Sequence, residues 1–353
     1  ALQYAHLLLN VTPLELRSTA TTLSIPTLSL LLSNGQISKN QKDLFALTSG
    51  VNLKWQEAQL LLHHADTMEL AVSKLSGMFN DAAFSYRQQS ELPWEKFVEN
   101  TAIHEGAFNY RNKQLHANAA SFKLDPSTHT FYGYNYDVTP NMSAAETFQK
   151  ARWQRDYITV KGDALQVSGI HLSGDSALSI RKITVDKAAL TTARDKRIPV
   201  EHGIEKYMPT KLIRTIPFAL QVDSIVLQES AVTVNESSKT TSKWAAVPIT
   251  EINALITHFG NVYNDSLHLQ ASGKLLGNPI RYFSYNESYH DTLSGFDAQS
   301  NLAPMDLKDF NAIAIPMAAV KVKRGHADTI YSAWSGNKYA TLGTMNFHYR
   351  QLK

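Results

Sequence analysis

The run 217-PFALQVDSIVLQESAVTVNE-236 constrains the fold of this chain more than any other stretch. Apolar and polar residues alternate through Phe218, Leu220 and Val222, then slip by one so that Ile225 and Leu227 carry the apolar face. After Glu229-Ser230 the alternation resumes at Val232 and Val234. A period of two belongs to a strand with one dry and one wet face, and it does not fit a helix, whose apolar positions recur every three or four residues. Small residues at the breaks, Ser224 and Ser230, suit a backbone that must bend or bulge there.

The same grammar recurs along the chain. On the ruler 222-VDSIVLQESAVTV-234, residues 98-VENTAIHEGAFNY-110 put Glu105 opposite Glu229 and Gly106 opposite Ser230. Residues 183-ITVDKAALTTA-193 carry Val185-Asp186 and Leu190 at matching places. Two looser copies are 315-IPMAAVKVKRGHA-327, with Val320, Val322 and Gly325, and 25-IPTLSLLLSNGQI-37, with Gly35. Further alternating runs cover Leu115–Leu124, Leu165–Leu172, Leu267–Ala271 and Ala340–Tyr349. Clean alternation of this kind marks antiparallel strands. The expected fold is mostly β: an elongated, twisted antiparallel sheet of degenerate strand-turn-strand repeats, curled into a groove or a sandwich.

Helical signals are few. Ser143-Ala144-Ala145-Glu146 is a capping box that opens a helix running to about Tyr157. Residues 200–215 form one or two short helices interrupted at Pro209. Both read as connectors. A boundary near Pro140 divides an N-terminal β-repeat region, 1–139, from a C-terminal one, 140–353. Just before it, the aromatic run 131-FYGYNYD-137 reads mainly as cross-strand packing, with a stacked binding platform as the alternative.

Chemistry-bearing motifs are sparse. The 353 residues include no cysteine, which excludes disulfides, thiolate metal sites and a thiol nucleophile. A net charge of +3 with both signs interspersed gives no basic stripe for nucleic acid. No Gly-rich phosphate loop occurs. The string 174-GDSAL-178 is similar to the Gly-Asp-Ser block of one esterase class, but an alternating run follows it where a helix is needed, so Ser176 reads as a turn residue. The thirteen histidines are scattered, and His63-His64 point to opposite faces of a strand. His104, His116, His268 and His348 fall on wet strand faces, so no metal site is expected. The pairs Glu99/Glu105 and Asp297/Asp306 read as solvated carboxylates, and 321-KVKRGH-326 as the charged face of an edge strand. The chain therefore reads as non-enzymatic and free of cofactors. No apolar run approaches the ~20 residues of a membrane-spanning helix. The start at Ala1 reads as processed or truncated, which leaves room for a signal peptide or membrane anchor ahead of it.

The composite 207-YMPTKLIRTIPFALQVDSIVLQESAVTVNE-236 resembles a recurrent segment of the AsmA-like family of Gram-negative envelope proteins, whose relatives include the TamB-like and YhdP-like proteins. The residues that carry the likeness are Ile216, Pro217, Leu220, Val222, Asp223, Ser224, Ile225, Leu227, Ser230, Val232 and Val234. It continues in 249-ITEINALITHFGN-261, 267-LHLQASGKLLGNPI-280, 302-LAPMDLKDFNAIAIPMAAVKVKRG-325 and 339-YATLGTMNFHYRQL-352, and covers about 160–353. Ser230 departs from the usual glycine, and the family's N-terminal membrane anchor is not in this chain.

The resemblance implies twisted sheets with an apolar concave face and a periplasmic role in outer-membrane homeostasis, bridging the periplasm for lipids. It further implies membrane association through a segment outside this chain. The partner it implies is a lipid acyl chain, lying against Phe218, Leu220, Val222, Ile225, Leu227, Val232 and Val234. Two other functions fit the same pattern. One is a structural or adhesion repeat module with a closed core. The other is a polysaccharide-active enzyme, which needs two facing carboxylates.

Overall fold

The computed structural model describes residues 2–39, 45–64, 67–87, 99–173, 177–203, 205 and 207–353. Strand makes up 68% and helix 9%, so sheet ladders satisfy most of the backbone. No helix among the described residues is long and apolar enough to cross a membrane. The chain divides into two compact units, 1–136 with 168–174 and 137–167 with 175–353.

In the first unit β1 (Leu2–Val11) pairs with β4 (Thr27–Lys39), and β4 with β5 (Phe45–His64). The ladder continues through β6 (Met68–Arg87), β7 (Thr101–Asn112) and β8 (Leu115–Asp125), all antiparallel. A short hairpin, β2 (Leu14–Arg17) and β3 (Thr21–Ile25), attaches to the far end of β5. Leu32, Val51, Phe79 and Phe84 form the core, with Tyr4, Leu30, Leu53 and Trp55 packed on it. Phe79 meets Phe84 edge-on at 6.0 Å, the arrangement favoured by ring quadrupoles. The aromatic run lies on β9 (Thr130–Pro140), where Phe131 stacks on Phe122 at 5.9 Å and Phe122 meets Phe108. That is cross-strand packing.

In the second unit β10 (Asp156–Ser173) pairs through its start with β12 (Ala189–Arg194). Both β11 (Ala177–Asp186) and β12 run parallel to β13 (Ala219–Ser237). Parallel neighbours need a long crossover, supplied by residues 195–218 and their helix α2 (Pro209–Arg214); the capped helix α1 (Ala144–Lys150) lies earlier. From β13 the ladder is antiparallel through β14 (Trp244–Phe259), β15 (Ser266–Leu275), β16 (Asn278–Ser288), β17 (Phe296–Leu302), β19 (His326–Gly336) and β20 (Thr341–Arg350), with β18 (Met305–Asp306) beside β19.

The repeat punctuation is a pair of opposed bulges. On β13 the step from Leu227 to Ser230 spans three residues against two on β14, Ala254 to Ile252. The next step, Ser230 to Val232, spans two against three. The extra residues, Glu229 and Glu251, have φ of 46° and 51°, and Asn253 accepts the Glu229 N–H at 3.3 Å. The first unit repeats this device. Trp55, Ala58 and Leu60 face Gly77, Leu75 and Val72 with the same two shifts, Glu57 and Lys74 have φ of 52° and 53°, and Ser76 accepts the Glu57 N–H at 3.0 Å. Ile103, Gly106 and Phe108 face Leu124, Phe122 and Ala119 in the same way. A bulge twists its strand, and the opposed partner restores the register. On the first strand of each pair the residue after the bulge is small and buried: Ala58 is 2% exposed, Ser230 4%, and Gly106 is buried as well.

Of the expected copies, 98–110 (described from residue 99) follows this pattern in full, 25–37 carries one register shift, between Ser33 and Gln36, and 183–193 keeps step with β13 throughout. Lys187, at φ 49°, separates β11 from β12, and Asn34, at φ 49°, precedes Gly35 within β4.

The expected copy at 315–327 does not. Residues 307–310 form a 3-10 helix, α3 (Asn311–Ala318) follows, and an irregular segment leads to β19 at His326. Helix-favouring alanines and Asp306, whose carboxylate accepts the Lys308 N–H, outweigh a short Val-x-Val alternation. The segment 321–326 is therefore not an edge strand. The helix at 143 ends at Lys150, well short of Tyr157, because Ala151 is extended and β10 starts at Asp156. Pro209 starts α2 rather than interrupting it, since its missing N–H costs nothing in the first turn.

Candidate functional site

The seven acyl-facing candidates divide in the structure. Leu220 and Val222, 8% and 1% exposed, form a buried cluster with Ile180, and Ile183, Ile216, Ile225 and Phe259 pack against it. The one-residue slip at Ser224 therefore does not carry Ile225 away from Val222. Ile180/Ile183, Val222/Ile225 and Phe259/Ile256 make the same step at one level of three adjacent strands, and their register is unbroken. In β14 the step is taken at His258, with φ of 58°. Phe218 is 40% exposed, and Leu227, Val232 and Val234 are half-buried further along.

Leu220 and Val222 are sealed because α2 and the residues after it lie on the sheet. Ile213 packs with Leu267 and Tyr289, and Ile216 bridges this cluster to the one around Val222. A single carboxylate anchors the helix. Glu287 is 0% exposed; it accepts from the Thr210 N–H at 3.3 Å, the Thr210 hydroxyl at 2.6 Å and the Tyr285 hydroxyl at 2.9 Å. Burial, and then the bond to Glu287, raise the Tyr285 hydroxyl above the usual phenol range. Arg214 at the other end of α2 donates to the Tyr289 carbonyl at 3.1 Å. Asn261 holds the chain entering β13, donating to Ile216 O and Phe218 O while accepting the Leu220 N–H. Beside it Gly260 lies so near that a Cβ would fall 2.1 Å from the Leu220 carbonyl oxygen.

An open apolar site lies nearer the C-terminus. Leu302, Leu307, Phe310, Val322, Ile330, Met345, Phe347 and Leu352 enclose about 380 Å³ with no polar atom in the wall. Its floor is the buried cluster of Leu302, Met305, Leu307, Ala327 and Ile330. Asn311 shapes one rim by exchanging side-chain hydrogen bonds with both backbone groups of Val322, at 2.7 and 2.8 Å. The other rim belongs to β20, where Leu342, Met345 and Tyr349 are 82%, 63% and 53% exposed. Pockets of several hundred Å³ with apolar walls are the usual form of small-ligand sites. The sequence pattern of 302–325 hid this one, because a helix supplies a wall where alternation suggested a strand.

A second cavity, about 640 Å³, lies between α1 and the ends of β12 and β13. Phe148 stacks on Trp244 at 5.7 Å in its wall. Asp195, buried there, pairs with Arg197 at 2.6 Å and accepts from Ser237 at 2.6 Å, and these bonds, Arg197 first, hold its carboxyl well below the usual range. Among the described residues one group has metal-ligand spacing: His258, Asp265 and His268, each offering an atom within 4.8 Å of the others. Ser176 lies outside the described residues.

No protein-family model matches the chain, and no curated protein matches it.

Proposed function

We propose that the protein is a non-enzymatic, acyl-binding β-repeat protein of the AsmA-like type, acting in a Gram-negative envelope, with the C-terminal apolar pocket as its lipid contact. The observation that carries this reading is the wholly apolar, open wall formed by Leu302, Phe310, Ile330, Met345 and Phe347. Such a wall offers nothing to a polar substrate. Each methylene moved into it from water gains ~0.8 kcal/mol, so about eight of them correspond to a Kd of roughly 10–50 μM. In this reading Leu220 and Val222 serve as core beneath α2, and the accessible contact surface lies at the pocket and β20.

The test is titration of the purified chain with a fluorescent long-chain fatty acid, together with lipid extraction and native mass spectrometry. Saturable binding that Met345→Asp and Phe310→Asp each weaken at least tenfold supports the proposal. Absence of both copurified lipid and probe binding refutes it. The sealing of Val222 favours a second reading, a structural repeat module with a closed core. That reading gains if the probe fails to bind while the fold is intact.

A further inference from the structure

We propose that His258, Asp265 and His268 form a binding site for a divalent transition-metal ion of the zinc type at the mouth of the β14–β15 hairpin. His258 is the penultimate residue of β14, Asp265 directly precedes β15, and His268 lies on β15 where it pairs with Thr257. Hairpin closure thus brings a His-x6-Asp-x2-His string together with one ligand atom from each residue within 4.8 Å. Two imidazoles and one carboxylate are the three-ligand set that leaves a fourth position open on zinc, and imidazole favours zinc, copper or nickel over magnesium and calcium.

Three further observations separate this trio from a chance ion pair. Nδ1 of His258 is shielded from solvent and lies 2.7 Å from Asp265 Oδ2, yet the contact is not aligned as a hydrogen bond, so a buried ring nitrogen is left unsatisfied. Asn286 Oδ1 lies 2.6 Å from His268 Nδ1, and because an amide oxygen only accepts, the proton belongs on Nδ1 and the lone pair of Nε2 is left for a metal. An outer hydrogen bond of this type is how proteins orient a ligating imidazole. Finally, Tyr263 stacks on the His258 ring at 4.9 Å and is tethered through its hydroxyl to Asp223 at 3.0 Å, which fixes the ring plane. Binding widens the 2.7 Å His258–Asp265 contact to about 3.3 Å, the edge of a tetrahedron around zinc.

The experiment is calorimetric titration of the full chain with Zn²⁺ alone, with Mg²⁺ and Ca²⁺ as controls. The expected result is one Zn²⁺ per chain with no saturable heat from the controls. His268→Ala and Asp265→Ala should each weaken it at least tenfold, and Asn286→Ala about tenfold to a hundredfold. Asp265 is an exposed loop residue, so its variant reports even where a histidine variant fails to fold. A parallel titration with Co²⁺ on the unaltered chain should develop visible absorption that Zn²⁺ then abolishes. No saturable Zn²⁺ binding, or binding unchanged in both His268→Ala and Asp265→Ala, overturns the site.

Discussion

Replacing Glu287 with alanine removes the acceptor of three donors at once: the Thr210 N–H, the Thr210 hydroxyl and the Tyr285 hydroxyl. Glu287 is 0% exposed, so water reaches those donors only if the packing opens. A buried polar group left unpaired costs about 1–3 kcal/mol, which for three donors at the low end puts Glu287→Ala at about 3 kcal/mol. Glu287→Gln keeps one acceptor oxygen and strands roughly one donor, for about 1 kcal/mol. The loss falls on α2, whose N-cap Met208 makes no side-chain cap of its own. Hydrogen exchange reads it locally at the amides of Leu212 and Ile216, which bond to Met208 O and Ile213 O. The alanine variant should exchange there roughly a hundredfold faster and the glutamine variant roughly fivefold faster, with β5 and β6 unchanged. Equal acceleration in the two variants, or less than about threefold in the alanine variant, would show that α2 is held by Ile213 and Ile216 packing instead.

Gly260→Ala should destabilise the second unit by about 1–3 kcal/mol, since its Cβ meets the Leu220 carbonyl and backbone must move; urea denaturation followed by near-UV circular dichroism measures it. Glu229→Val and Glu57→Val put a β-branched residue at positive φ and should each cost about 1–2 kcal/mol, whereas glycine at either place is near neutral in the same assay. Asp195 has a folded pKa below its unfolded value, so its stabilising contribution is complete above about pH 4 and fades as pH falls through the depressed value. Asp195→Asn should therefore lower stability at pH 7 and flatten the acid limb of a stability–pH profile between about pH 4 and pH 2.

Much of the β architecture was readable because alternation reports strand faces directly. The copies around Gly106, Lys187 and Ser230 were legible for the same reason, each pairing a break in alternation with a left-handed residue or a register shift. The repeat at 55-WQEAQLL-61 was harder to see. Gln56-Glu57-Ala58 matches Gln228-Glu229-Ser230, but the run Leu60-Leu61-Leu62 masks the change of phase, since both faces of β5 are apolar there. Val320 and Val322 misled for the opposite reason: two alternating valines carry less weight than a capped helix entry upstream. The site was less legible than the fold. Leu220 and Val222 carry the right pattern, but which element covers a face depends on long-range contacts such as Glu287 with Thr210, seventy-seven residues apart. The His258–Asp265–His268 group likewise needs the hairpin closed before its members become neighbours.

The opposed bulges also dictate which changes of length this chain can absorb. Deleting Glu229 alone would shift every residue beyond it on β13 by one place against β14, turning Val232 and Val234 to the opposite side of the sheet. Deleting Glu229 and Glu251 together would restore a flat, continuous ladder between β13 and β14 with the same partners before and after the break, and removing Lys187 as well would keep β11 and β12 in step with β13. Insertions and deletions in relatives of this chain should accordingly come in coupled pairs across adjacent strands, spaced as Glu57 is to Lys74 and Glu229 is to Glu251. Such twinned gaps would serve as a signature for finding further copies of the repeat where residue identity has faded.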